Sequence, residues 1–238
     1  MIDLSTLACE QLLVTLPDEG ETLTRFEVQA NDIVMADRGL AHRRGIRHVV
    51  QRGGDVIVRS NMVSVPLQDE KDKEVALLPK LRKLRVGEPR EWPAFMSDDQ
   101  GTIALRVCAL KKSAEQRRKS QQKARETAAR KGRNLQPDTL EAAGYVVVLT
   151  TLPETTVSAG QVLELYRHRW QIELAFKRLK SLLQLGHLKK TDQEGAKAWL
   201  QGKLFVATLI ETLLAIGERF SPWGYFVSAD QGAPLSLA

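Results

Sequence analysis

Four side chains in one uninterrupted stretch define the chemistry to consider. Tyr166, Arg169, Glu173 and Lys180 lie at offsets of zero, three, seven and fourteen, and the run 166–180 contains no Pro or Gly. If the run is helical, about 100° per residue gathers the four within an arc of about 60°. A phenol, a guanidinium, a carboxylate and an ammonium then share one edge. The carboxylate offers hard oxygen to Mg²⁺ or Mn²⁺. Arginine offers a bidentate fork to a phosphate, and lysine a point charge. The tyrosine hydroxyl can donate to a phosphate oxygen. A solvated amphipathic helix burying Leu174, Phe176 and Leu179 is the plain alternative. Four specified residue types at fixed spacings weigh against coincidence.

A second carboxylate stands far away in sequence. Residues 33–36, Ile-Val-Met-Ala, read as a compact strand buried on both faces, and Asp37 follows at once. Side chains at the carboxyl ends of strands in α/β sheets line the site crevice. Taken alone, Asp37 reads as a turn or cap residue before the next helix. Glu173 alone reads as an exposed helical glutamate. As a pair they fit metal-assisted phosphoryl transfer, which needs carboxylates converging on the ions.

The Tyr-(2)-Arg-(3)-Glu-(6)-Lys spacing resembles the signature of the IS4 family of DDE transposases, with all four positions matched. Residues 33–39, Ile-Val-Met-Ala-Asp-Arg-Gly, resemble the family segment around its second catalytic Asp, which falls on Asp37. Residues 54–59 resemble the strand that follows. The similarity covers residues 4–220 in outline, although only two short motifs are specific. It implies an RNase H-like core that cuts and joins DNA at insertion-sequence ends with Mg²⁺ or Mn²⁺. Asp37 and Glu173 would be the catalytic metal ligands, and Tyr166, Arg169 and Lys180 would serve the DNA. The family also uses a first carboxylate on an opening strand. Asp3 lacks that strand before it, so the expectation is a transposase shortened at its front and impaired alone. The partners implied are transposon-end and target DNA, and a second copy or a full-length transposase. The rival readings are a non-catalytic regulator of transposition, a generic basic DNA-binding protein, and a product with no selected role.

The fold class expected is α/β: an RNase H-like core interrupted by a β-rich insertion, with C-terminal helices. Residues 1–59 form a partial core lacking its first strand. Residues 60–149 form the insertion and include a basic helix. Residues 150–220 supply the core helices with the motif, and 221–238 an irregular tail. Strands are expected at 11–16, 21–29, 33–36 and 55–59, with a helix over 40–52 stopped by Gly53-Gly54. Further β pieces fall at 63–67, 91–96, 102–110 and 145–151. Helices follow at 113–131, from Pro137 to 143, from a Ser158 cap to Gly186, and over 192–219.

The 238 residues carry 35 Lys and Arg against 29 Asp and Glu, a net +6, and 43% are hydrophobic. That composition supplies a packed core and favours a polyanionic partner. Ten of the Lys and Arg lie within 111–133, opposed by only Glu115 and Glu126. The same charges also suit a solvated helix face. Cys9 and Cys108 show no metal-ligand spacing with the four His and read as free thiols. No signal or membrane segment is expected, so the chain is placed in the cytoplasm.

Overall fold

The computed structural model describes residues 20–60, 65–172 and 192–219, together with 1, 3, 10, 11, 13–15, 174 and 177. The chain divides into two compact units, Pro17–Trp170 and a second made of Met1–Leu16 with Gln171–Ala238.

The first unit is built on one five-stranded sheet. Its strands are β1 (Ile33–Ala36), β2 (Asp55–Arg59), β3 (Arg90–Asp98), β4 (Gly101–Lys111) and β5 (Tyr145–Thr150), in spatial order β1-β2-β5-β4-β3. β1 and β2 run parallel, with Met35 opposite Ile57, and the remaining pairs are antiparallel. The apolar runs predicted at 33–36, 55–59 and 145–151 thus become strands; the inner two are covered on both faces, whereas β1, expected to be so, is an outer strand that leaves Ile33 half exposed. β3 carries Pro93, which an outer strand tolerates because the missing N–H faces away from the ladder. Outside it, Gln68 exchanges backbone hydrogen bonds with Phe95, 2.8 Å each way.

Two apolar layers cover the sheet. One side packs on α1 (Arg43–Gln51), which buries Ile46 and Val49 against Val34, Val56, Val58 and Leu149. Gly53, at φ 78°, halts α1 in a conformation other residues resist. α2 (Leu77–Arg82) adds Leu77 and Leu81 to the same layer. The opposite side carries α5 (Ala159–Arg167), whose Val162, Leu163 and Tyr166 bury with Ile57, Cys108 and Val148. Arg106 fixes the approach to α5. It donates to the carbonyls of Leu152 (2.7 Å) and Val157 (2.9 Å) and pairs with Glu91. α3 (Ala114–Arg130) and α4 (Pro137–Ala142) lie between β4 and β5 in sequence, and neither buries a residue.

Two elements depart from expectation. The segment 21–29 is not a strand. Leu23–Arg25 form a 3-10 turn capped by Thr22, and the Phe26 amide closes back on the Leu23 carbonyl at 3.1 Å. The helix expected from the Ser158 cap to Gly186 is interrupted. α5 stops at Arg167, and His168 and Arg169 form a turn with hydrogen bonds to residues three back, Leu165 and Tyr166. Helical backbone resumes at Trp170. The strands expected at 11–16 and 63–67 fall partly outside the described residues, and the 221–238 tail wholly so.

In the second unit the described element is α6 (Gln193–Arg219), matching the predicted helix at 192–219. Ala207 is buried, whereas Phe205, Val206, Leu209, Ile210, Leu213 and Ile216 are exposed. Among the described residues no helix is long and apolar enough to cross a membrane.

Candidate active site

β1, β2 and β4 all point their carboxyl ends to the same edge of the sheet, the edge where α/β sheets expose their crevice. Asp37 follows β1 there. Extending the β1–β2 register sets it beside Arg59, the last residue of β2. Asp37 opens a turn. Its carboxylate accepts the Arg38 amide, and its carbonyl accepts the Leu40 amide at 3.1 Å. The side chain is 56% exposed, so its oxygens face solvent.

α5 brings the second group to the same place. Ser158 and Gln161 close a capping box that fixes where the helix begins. Two turns later Tyr166 is buried on the sheet, at 8% exposure. The tight turn after Arg167 then aims Arg169 at Asp37, with Nη1 3.8 Å from Oδ2. The Arg169 guanidinium also lies 5.8 Å from the centre of the Tyr166 ring. Asp37, Tyr166 and Arg169, drawn from two distant motifs, are therefore neighbours. Glu173 and Lys180 lie outside the described residues.

The tyrosine hydroxyl is unusual. It is buried, and no described group meets it with hydrogen-bond geometry, although Arg169 is near enough to act on its charge. Burial is the main force holding its pKa above the ordinary phenol value. Arg169 and Arg59 pull the other way, and Asp37 pushes upward again. A buried donor without an acceptor costs stability, which marks this hydroxyl as available to a bound oxygen.

Three cations at this edge were not anticipated. Arg38 is solvent-accessible, yet surrounding protein mass and Arg59 hold its guanidinium below the usual arginine value, against Asp37 and Tyr166. Lys112 follows β4, and its ammonium is brought down to about 8, by burial first and then by Arg59 and Arg38. The signal for Arg59 was its place at the end of the strand parallel to β1. That for Lys112 was invisible until β4 was seen to run in the same direction as β2. Arg169, Arg38 and Arg59 thus lie about one described carboxylate, an arrangement suited to a polyanionic ligand.

Among the described residues no three of His, Cys, Asp or Glu gather as metal ligands. Asp37 is nonetheless the right kind of donor for a hard divalent cation, an exposed carboxylate just past the carboxyl end of β1.

The transposase DDE domain family matches residues 14–209, most of the chain. The chain belongs to this family. It is 37% identical over 210 residues to the putative transposase InsL for insertion sequence element IS186A of Escherichia coli K12. The transposase for insertion sequence element IS421 of Escherichia coli gives the same identity over the same length. Each alignment covers 86% of this chain and 57% of the relative, so the chain spans just over half the length of these curated relatives. The transposase for insertion sequence element IS231F of Bacillus thuringiensis subsp. israelensis is 32% identical over 134 residues, 56% of this chain and 28% of that relative. The mixed sheet with helices on both faces is consistent with the RNase H-like fold expected of the family.

Proposed function

We propose that this site serves metal-dependent cleavage and transfer of DNA strands at insertion-sequence ends. One observation carries the reading: Arg169 of the Tyr-Arg-Glu-Lys motif lies 3.8 Å from Asp37, the carboxylate of the other motif. Glu173, four residues beyond Arg169, would join Asp37 in holding Mg²⁺ or Mn²⁺. Such ions activate the attacking oxygen and stabilise the leaving one. The chain's own groups do the rest. Arg169, Arg59 and Arg38 neutralise the phosphodiester and turn its non-bridging oxygens toward the carboxylates. Tyr166 donates its unused hydroxyl to one of those oxygens. Lys180 adds a point charge on the DNA end. The first displacement is hydrolysis by water, and the second uses the freed 3′-hydroxyl as nucleophile.

Asp37 and Glu173 are two carboxylates where this chemistry uses three, so weak turnover is expected from the 238 residues by themselves. Calorimetric titration with Mn²⁺ tests the metal assignment, with Asp37→Asn and Glu173→Gln each expected to weaken binding at least tenfold. Binding that ignores both substitutions removes the metal reading. Robust Mg²⁺-dependent cleavage of element-end duplexes by this polypeptide overturns the impairment.

The exposed apolar side chains of α6, including Phe205, Leu209 and Leu213, favour a second reading. In it the chain pairs with another transposase protomer, itself or a full-length one, and restrains transposition without cutting. Light scattering of the pure protein, and pull-down with an intact transposase, separate the two.

A further inference from the structure

The longest helix of the first unit contributes nothing to its core. All 17 residues of α3 are unburied, an unusual condition for a helix of that length. Helix formers and the Ser113–Gln116 capping box explain why it forms. They do not explain why it is charged as it is. Residues 111–133 hold ten Lys and Arg against two Glu, whereas the whole chain is only +6, so the remainder of the protein is net acidic. The basic character is concentrated here.

The charges are arranged on the outward side. At about 100° per residue, Lys119, Lys123 and Arg130 fall within an arc of about 40°, and Arg118 and Arg125 within about 20° on the other flank. All five are exposed. The two acids do little to cancel them. Glu115 holds Lys119 at 2.6 Å in a solvent-exposed pair, and Glu126 accepts the Gln122 amide at 2.8 Å. The inner side is tied down. Lys112 Nζ donates to Ser120 Oγ (2.8 Å) and to the Ala143 carbonyl (2.7 Å), and Gln121 donates to the Leu140 carbonyl (3.2 Å). The exposed cations therefore occupy the side of α3 that faces away from these ties.

We propose that α3 is an arm for the sugar-phosphate backbone of duplex DNA, holding the duplex without reading its sequence. The helix is about 25 Å long at 1.5 Å per residue, and B-DNA presents a phosphate charge about every 1.7 Å of its axis. The proposal rests on the DNA reading above for its choice of polyanion.

Fluorescence anisotropy of the full chain with a random-sequence duplex of about 30 base pairs, across a salt series, tests it. Changing Arg118, Lys119, Lys123, Arg125 and Arg130 together to Gln should make the slope of log K against log salt less negative by about 4 and weaken binding at least a hundredfold. The paired change Lys123→Gln with Arg130→Gln should move the slope by about 2, and stands in if the fivefold variant loses helicity by circular dichroism. Arg59→Gln with Arg169→Gln is measured alongside. If that pair weakens binding and the α3 changes do not, the arm is refuted and the active-site reading survives. If neither set matters, both readings fall. A loss confined to the α3 changes supports the arm and refutes the phosphate role of Arg59 and Arg169. Loss with an RNA hairpin but not with duplex DNA overturns the assignment of the partner.

Discussion

α3 and α5 begin alike and end differently. Each opens on Ser-x-x-Gln with a closed capping box, Ser113 with Gln116 and Ser158 with Gln161. Each carries a surface ion pair within one turn, Glu115–Lys119 and Glu164–Arg167. Yet α5, at nine residues, buries three side chains, and α3, at seventeen, buries none. The cap fixes only where a helix starts. What it does depends on the stripe beneath: an apolar one turns α5 into a platform for Tyr166 and Arg169, and its absence leaves α3 facing outward. Stability and chemistry should therefore depend on α5, and long-range attraction of DNA on α3.

The sharpest way to break that contrast is Tyr166→Ala, which empties a buried ring site and should lower unfolding free energy by about 3 kcal/mol in urea titration. Tyr166→Phe should leave stability level or slightly higher, because it deletes a buried donor without a described acceptor, while weakening DNA-end binding. The fivefold α3 change should leave stability nearly untouched.

Next in size is Arg106→Met. It leaves the Leu152 and Val157 carbonyls unmet and Glu91 unpaired, and should cost about 2 kcal/mol. Hydrogen exchange should show α5 loosening before the distant α1. An unchanged α5 would mean that Arg106 does not set its approach.

The two caps sharpen the comparison directly. Ser158→Ala should cost about 1 kcal/mol of global stability. Ser113→Ala should fray α3 locally, seen as faster amide exchange over its first turn, with little change in the global midpoint. Equal global losses would contradict the separation drawn here.

A pH dependence from Lys112 probes the inner side of α3 by a different route. Its folded value near 8 lies below the ordinary lysine value of 10.5, so the unfolded chain binds more protons between those limits. Stability should therefore rise with pH across that window, and Lys112→Met should flatten the rise. Denaturation at pH 7.5 and 10 checks the sign.

Much of the fold was legible wherever pattern and punctuation agreed. The apolar runs of β1, β2 and β5, the Gly53 stop, the Ser158 cap and Pro137 all act through neighbouring residues, and the structure bears them out. The break after Arg167 was not legible, because no Gly or Pro marks it. Nor was the 3-10 turn at Leu23–Arg25, whose alternating Phe26 and Val28 imitate a strand. Asp37, Tyr166 and Arg169 were named from type and spacing, and they stand together. Arg59 and Lys112 were not named, since their proximity is a property of strand register and direction across the sheet, which no local window contains.

The two rims of the sheet are unequal among the described residues. Along β3 the outer backbone is taken up at Phe95 by Gln68, and at Pro93 it has no amide to offer. Among the described residues nothing comparable shields β1. A strand laid beside Ile33–Ala36 would bring one of its ends next to the Asp37 carboxylate. The rim that Gln68 covers is the one farther from that carboxylate.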